Sequence, residues 1–216
     1  MDINKIIKFA DIFYSLASET EPLPPNSKDL KTILKNIENL ETYNARKKYA
    51  EKNLKHLSSG SSRIAYLTLK KTVIKLAKND KGIAQNKAEA ANIKVKSKYL
   101  NKVLKYSKKY SWIEMPFLKK LTEKKFKKMT GLNFDDFGDS IRYGLRDISS
   151  SKTKKPDNFE EVEKSEIFKE FLRIGKEAKL MGGDLARISN IGEIGDHPII
   201  IDSGLTKKVF EEFYET

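Results

Sequence analysis

The chain has 216 residues, 43 lysines and arginines against 30 aspartates and glutamates, a formal net charge of +13, two histidines and no cysteine. This composition excludes disulfides, thiolate metal sites, cysteine nucleophiles and a metal site built from several histidines. The excess of positive charge favours polyanionic partners such as nucleotides or nucleic acid, although a solvated lysine-rich surface accounts for it as well.

The length suits one large domain or two small lobes that share a cleft. No apolar run approaches the roughly 18 residues that a membrane span needs. The first residues include acidic side chains and no small-residue cleavage site, which is not typical of a secretory signal. We therefore expect a cytoplasmic protein without membrane contact.

The first predicted element is an amphipathic helix over residues 3–17, where apolar residues recur at helical spacing. Closely spaced prolines then predict an extended linker. The helix either packs on the rest of the protein or docks a partner protein, and both interpretations stay open. The sequence thus predicts three segments: helix and linker over 1–27, a lobe with a preceding helix over 28–118, and a truncated helical lobe over 119–216.

The remaining elements are predicted from periodicity, turn residues and caps. In chain order they are a helix over 28–55, a hairpin of two strands over 56–69 and 71–78, a helix over 81–107, a strand over 111–117, one or two helices over 122–148 with breaks at Gly131 and Gly138, a loop over 149–156, a helix over 158–181 that stops at Gly182, a strand over 197–201 and a helix over 206–215. This order indicates an α+β fold.

One lysine stands out because of its surroundings. Lys75 lies within the apolar strand VIKLA, where alternation can point it inward. A buried ammonium needs a partner or a ligand, and Glu89 in the following helix is the natural partner. The alternative is that Lys75 extends its charge to solvent from an exposed edge.

Three polar residues in the last third of the chain have the chemistry of a phosphoryl-transfer site. Asp184 and Asn190 follow the long helix, and Asp202 closes an apolar strand before a glycine turn, which suits magnesium binding. Earlier, Gly60 and Ser61 lie in a turn of small residues, where backbone N–H groups could approach phosphate. An ordinary hairpin turn explains that glycine more simply.

Taken in order, these residues resemble the protein-kinase-like superfamily over roughly residues 57–205, closest to its compact, phage-borne branches. The resemblance implies a two-lobed fold with a small antiparallel sheet, ATP and Mg²⁺ as cofactors, and residence in a host cytoplasm or virion if the chain is phage-encoded. The implied roles are a phosphate loop at Gly60 and Ser61, a phosphate-orienting pair in Lys75 and Glu89, an adenine-contacting hinge at Glu114 and Met115, a base in Asp184, and metal ligands in Asn190 and Asp202.

The sequence departs from that family in three places. Gly182 replaces the usual histidine before Gly183-Asp184, and Asn190 falls one position late for a metal ligand. The chain ends soon after Asp202, so we expect neither an activation segment nor a platform for peptide substrates. An active phosphotransferase would then act on a small substrate, or a partner protein would supply the platform and complete the helical lobe.

Two alternatives to an active phosphotransferase stay open. A catalytically silent kinase-like module could serve as a scaffold, in a phage particle or as an anti-host factor. A nucleic-acid-binding protein could use segments 102–110 and 119–128, where lysines alternate with aromatic residues. At helical spacing, however, Tyr99, Val103, Leu104 and Tyr106 are more typical of a core beneath a lysine face.

Overall fold

The computed structural model describes residues 29–149 and 153–215. The predicted N-terminal helix, its linker and the docking role considered for it lie outside this part, as does the middle of the predicted 149–156 loop. Within the described part, no helix combines the length and apolar character that crossing a bilayer requires.

Helices and antiparallel strands make up the structure, as the predicted α+β class requires. The helices are α1 (Leu30–Asn39), α2 (Tyr43–Asn53), α3 (Asp80–Ala91), α4 (Glu123–Thr130), α5 (Phe134–Gly144), α6 (Arg146–Ser149), α7 (Phe159–Val162), α8 (Glu166–Glu177), α9 (Gly182–Leu185) and α10 (Lys207–Tyr214), with 3-10 turns at Asn92–Lys94 and Ile188–Asn190. The strands are β1 (Lys55–Ser59), β2 (Arg63–Leu67), β3 (Thr72–Ala77), β4 (Lys105–Tyr106), β5 (Trp112–Pro116), β6 (Lys119–Lys120), β7 (Ile191–Ile194) and β8 (His197–Ile200).

A five-stranded antiparallel sheet, in the order β1-β2-β3-β5-β4, follows the N-terminal helices. One face packs against α1 and α2, because apolar residues three and four positions apart give α1 one apolar side. The principal buried side chains at this contact are Ile33, Leu34, Ile37, Tyr66, Ile74, Leu76 and Trp112.

Helix α3 covers the opposite face of the sheet. Lys75 pairs in register with Ile113, and Ile74 pairs with Glu114. Because side chains alternate along a strand, Lys75 and Ile113 face α3 while Ile74 and Glu114 face α1 and α2. The sheet therefore presents Lys75 to the helix that carries Glu89.

The second half is mainly helical and packs around aromatic residues. Phe137 lies at the centre, with ring centroids 5.0 Å from Phe126 and 6.3 Å from Phe168. Beside these helices lies a small antiparallel sheet, β6-β7-β8. A parallel bridge between Leu100 and Ile200 joins it to the segment that follows α3. The chain just before Asp202 is thus fixed against the connection between the two halves.

Two predicted helices are interrupted. The helix predicted over 28–55 is divided because residues 40–42 are not helical, and Thr42 caps α2 by accepting a backbone N–H at 3.2 Å. The helix predicted over 158–181 is divided at Ser165, which caps α8 in the same way at 3.3 Å, and α8 ends before the predicted glycine stop. Hydroxyl side chains favour such starts because they satisfy free N–H groups.

The helix predicted over 81–107 ends at Ala91. Val95, Tyr99 and Val103 recur four positions apart as in a helix, and all three are buried, but the backbone around them is not helical. They enter the core from an irregular connection, so their spacing does not indicate a helix here.

The remaining predicted strands, helices and glycine breaks are confirmed in part. The strand over 111–117 and the C-terminal helix are confirmed as β5 and α10. The predicted two-strand hairpin instead holds three strands, β1 to β3, and β6 and β7 are not predicted. Gly131 ends α4 in a left-handed conformation (φ 77°), as expected. Gly138, by contrast, lies inside α5, where a Cβ would meet that of Ala186 at 3.3 Å. It serves helix packing rather than a break.

Candidate functional site

Lys75 lies where β3, α3 and the segment after β8 meet. Its Nζ donates to both carboxylate oxygens of Glu89, at 3.0 and 2.9 Å. It also donates to the Ile201 carbonyl at 3.0 Å and lies 3.5 Å from Oδ1 of Asp202. The structure thus pairs Lys75 with Glu89 and brings Asp202 to the same place.

Arg63 is a further member that sequence reasoning missed. Its Nη1 donates to the Glu89 carboxylate, and its Nη2 donates to Asp202 Oδ1 at 2.6 Å. The pairing of β2 with β3 explains how Arg63 reaches this place. Ala65 is opposite Lys75, and Arg63 lies two positions before Ala65, so the Arg63 and Lys75 side chains lie on the same face of the sheet. Arg63, Lys75, Glu89 and Asp202 are called the charged cluster below.

The charged cluster is buried and balanced in charge. Glu89 is fully buried, the Arg63 and Lys75 side chains are 10% and 13% exposed, and Asp202 is 33% exposed. Burial alone would raise the pKa of Asp202, but Arg63 and Lys75 hold it well below its ordinary value. Asp202 is therefore ionised at neutral pH and is the member most open to solvent.

The turn after Asp202 is held against α3 by specific contacts. Asn92 Nδ2 donates to both the carbonyl and the hydroxyl oxygen of Ser203, each at 3.1 Å. A Cβ at Gly204 would lie 2.9 Å from Oε1 of Glu89 and 3.1 Å from Nη1 of Arg63. Only glycine allows the backbone to approach the charged cluster this closely.

The predicted phosphate-binding turn between β1 and β2 is a closed hairpin turn. The Gly60 N–H donates to the Arg63 carbonyl at 2.8 Å, and Lys78 Nζ donates to the Gly60 carbonyl at 2.6 Å. Ser61 is exposed, and its carbonyl accepts from Asn79 Nδ2 at 3.4 Å. Both polar groups of the Gly60 backbone are therefore engaged within the turn and its neighbour.

Asp184 lies in the short helix α9, in a loop bonded to the segment before Asp202. Asn190 Nδ2 donates to the Asp184 carbonyl at 3.0 Å, and the Ile201 N–H donates to the Asn190 carbonyl at 2.9 Å. Burial, helped by the negative charge of Asp202, raises the pKa of Asp184 to about 6, although Arg187 opposes the rise. The loop thus supplies a carboxyl that titrates close to neutrality.

The side chains of the predicted hinge do not join the charged cluster. Glu114 faces α1 and α2, where its Oε1 accepts from the Thr72 hydroxyl at 2.8 Å. Met115 lies on the α3 side but is buried, at 2% exposure, in a small core with neighbours that include Val103 and Ile113. Adenine contact by these side chains remains a prediction from the sequence.

The predicted metal ligands Asn190 and Asp202 are each engaged with other protein groups. The Asn190 amide is turned to the Asp184 carbonyl, and Oδ1 of Asp202 is in contact with Arg63 and Lys75. Across residues 29–149 and 153–215, no three acidic or histidine side chains form a group that could hold a metal ion. With a guanidinium at Asp202, these residues do not fit the oxygen shell that magnesium requires.

The segment predicted to alternate lysines with aromatic residues is partly a strand at the edge of the sheet. Leu104 and Tyr106, interpreted from the sequence as core, are each 52% exposed, which corrects that interpretation. The Tyr106 ring stacks on Tyr110 with centroids 5.3 Å apart. The same stretch of sequence carries four exposed lysines, which are Lys102, Lys105, Lys108 and Lys109.

Comparison of the chain with protein-family models, with curated proteins and with solved structures finds no match in any of the three. The class of protein is therefore defined by the fold and the site. It is an α+β protein with N-terminal helices, a five-stranded antiparallel sheet and a mainly helical region with a small sheet.

Proposed function

We propose that the protein binds a nucleoside triphosphate at the charged cluster and transfers its terminal phosphoryl group, as the resemblance to the protein-kinase-like superfamily implies. The observation that carries this proposal is the Lys75–Glu89 pair beside an ionised, partly exposed Asp202. The loop with Asp184 is hydrogen-bonded to the same segment. Cations that orient phosphate and a carboxylate that accepts a proton are what such a transfer needs from a protein.

Each residue has a distinct role in the proposed reaction. Lys75, held in place by Glu89, and Arg63 stabilise the negative charge of the phosphates. The acceptor hydroxyl gives its proton to Asp184, and its oxygen forms a bond to the terminal phosphorus. The bond from that phosphorus to the bridging oxygen breaks, and the nucleoside diphosphate leaves with the electron pair. A pKa near 6 leaves Asp184 ionised at neutral pH and still basic enough to accept the proton.

The acceptor is proposed to come with a partner protein. Helix α10 follows the Asp202 turn almost directly and packs on α3, where Lys81 Nζ lies 4.5 Å from the centroid of the Tyr214 ring. Because α10 is engaged with α3, we expect the platform for the acceptor to come from outside this region. A partner that completes the helical half, in the cytoplasm or in a virion, would present the hydroxyl.

The test compares nucleotide binding with turnover in purified protein. Lys75→Ala should lose both ATP-dependent thermal stabilisation and ATP turnover, because one of the two cations proposed to bind the phosphates is gone. Asp184→Asn should keep the binding and lose about 100-fold or more in turnover, because only the proton acceptor changes. Lys87→Ala and Asp135→Asn, at exposed positions, are the matched controls. Absence of any ATP effect on wild-type protein would refute the proposal.

A second candidate function is a silent kinase-like binding module. The observation that favours it is Arg63, which connects Glu89 to Asp202 and satisfies both carboxylates. Wild-type protein that binds ATP but turns none over, with or without added partner, would favour this alternative. Salt-sensitive binding of single-stranded oligonucleotides, lost on Tyr106→Ala and without any ATP effect, would favour the nucleic-acid alternative.

A further inference from the structure

Arg63 donates to the oxygen of Asp202, the residue that the resemblance assigns to a metal ion. It begins β2, directly after the β1–β2 turn, and its side chain is 10% exposed. Besides Glu89 and Asp202, its Nη1 lies 3.4 Å from Oδ1 of Asn86. One guanidinium therefore connects the sheet, α3 and the turn after β8.

The contacts of Asp202 leave little room for a divalent cation at the same oxygen. Arg63 Nη2, Lys75 Nζ and the Gly204 N–H all approach Oδ1, at 2.6, 3.5 and 3.4 Å. Magnesium binds carboxylate oxygens at about 2.0–2.1 Å and demands a nearly octahedral shell. A doubly charged ion at Oδ1 would also lie beside two fixed cations.

The backbone around the guanidinium is fitted to it. A Cβ at position 204 would lie 3.1 Å from Nη1 of Arg63, so a residue larger than glycine would displace the guanidinium. Asn86 is fully buried and turns its amide oxygen toward Nη1, while its Nδ2 donates to the Tyr110 carbonyl at 2.8 Å. A glycine, a buried amide and two carboxylates together make a site for this one side chain.

We infer that Arg63 replaces the divalent cation, so that the charged cluster binds the phosphates of a nucleoside triphosphate without metal. This inference rests on the proposed function and specifies that nucleotide binding depends on Arg63 and not on a metal ion. Arg63 offers a planar fork with more N–H donors than its two carboxylate partners consume, and such a fork is well suited to phosphate. Lys75 supplies the second positive charge.

The experiment measures ATP affinity by calorimetry in buffer with EDTA and in buffer with MgCl₂. Wild-type protein should bind with affinities within about threefold of each other. Arg63→Ala should bind ATP about tenfold or more weakly in EDTA, since a charge-assisted contact is lost, and should recover affinity with MgCl₂. It should also bind Mn²⁺ alone, measured by electron paramagnetic resonance, because Asp202 is then free. Arg146→Ala, an exposed arginine that donates to the Tyr143 carbonyl, is the control and should match wild type.

The outcomes separate this inference from the proposed function. Wild-type protein that binds ATP about tenfold or more tightly with MgCl₂ than with EDTA overturns the role of Arg63 and leaves the proposed function standing. Absence of ATP binding in both buffers overturns both. If Arg63→Ala does not fold, Arg63→Lys keeps the charge but lacks the fork. It should weaken binding in EDTA, and an affinity equal to wild type there counts against the inference.

Discussion

Replacing Gly82 with alanine sets two physical effects against each other. Gly82 lies in the first turn of α3, the helix that carries Glu89. Alanine is the better helix former by about 1 kcal/mol, so helix propensity alone predicts a more stable protein. The position of Gly82 against β3 predicts the opposite result.

The steric effect is the larger one. A Cβ at position 82 would lie 2.2 Å from the Ser62 carbonyl oxygen and 3.1 Å from the Cα and Cβ of Ala77. That oxygen also accepts the Lys78 N–H at 2.8 Å, so it cannot move away without loss of a hydrogen bond. Overpacking of this kind costs about 1–3 kcal/mol or more, and a backbone contact this short belongs at the upper end. We expect a net loss of about 2 kcal/mol, which lowers Tm by roughly 4–8 °C.

Thermal unfolding and urea titration of Gly82→Ala beside Gly183→Ala measure the difference. Gly183 also lies in a helix, but nothing lies within 4 Å of its Cβ position, so alanine there should be neutral or slightly stabilising. Because α3 must shift in Gly82→Ala, the ATP binding proposed above should weaken in this variant as well. If Gly82→Ala proves as stable as Gly183→Ala, the packing of α3 deduced from the structure is wrong.

Two further predictions concern single side chains near the site. The pKa of Asp184 is raised from 3.8 to about 6, so the free energy of unfolding should fall as pH rises through that window. Asp184→Asn should remove this pH dependence. In urea titrations the variant should be more stable than wild type by about 1–3 kcal/mol at neutral pH, but not at about pH 4. Asn92→Ala leaves the Ser203 carbonyl without its donor and should lose about 1–3 kcal/mol, with faster hydrogen exchange at Gly204, whereas the exposed Asn44→Ala should stay within about 0.5 kcal/mol of wild type.

The sequence predicts three of the four residues of the charged cluster, because the signals for these three are local. Lys75 lies in an apolar strand and Glu89 in the helix that follows, so a buried cation and its nearest acidic partner can be matched without knowledge of the fold. Asp202 is recognisable from the apolar strand before it and the glycine after it. Each of these signals is a short-range pattern.

Arg63 is not visible in the same way, because its partners are distant in sequence. Its contacts with Glu89 and Asp202 depend on the β2–β3 register and on the return of the chain after β8. The irregular connection after α3 is hidden for a related reason. Val95 and Tyr99 have helical spacing, but they lie in an irregular segment and are buried because this segment packs against the helical half. Register and tertiary packing decide both cases, and neither is set by local propensity.

The charged cluster is hard to explain as a device for stability. Buried ion pairs often contribute no more than well-packed apolar residues of similar volume, because desolvation offsets their attraction. The sheet already has an apolar core against α1 and α2, and α3 has its own with Ile113 and Met115. Three buried charges and the partly exposed Asp202, on the α3 side of the sheet, are what the anionic ligand proposed above would need. The proposed polyphosphate would accept hydrogen bonds from both cations while Glu89 and Asp202 keep these cations in place.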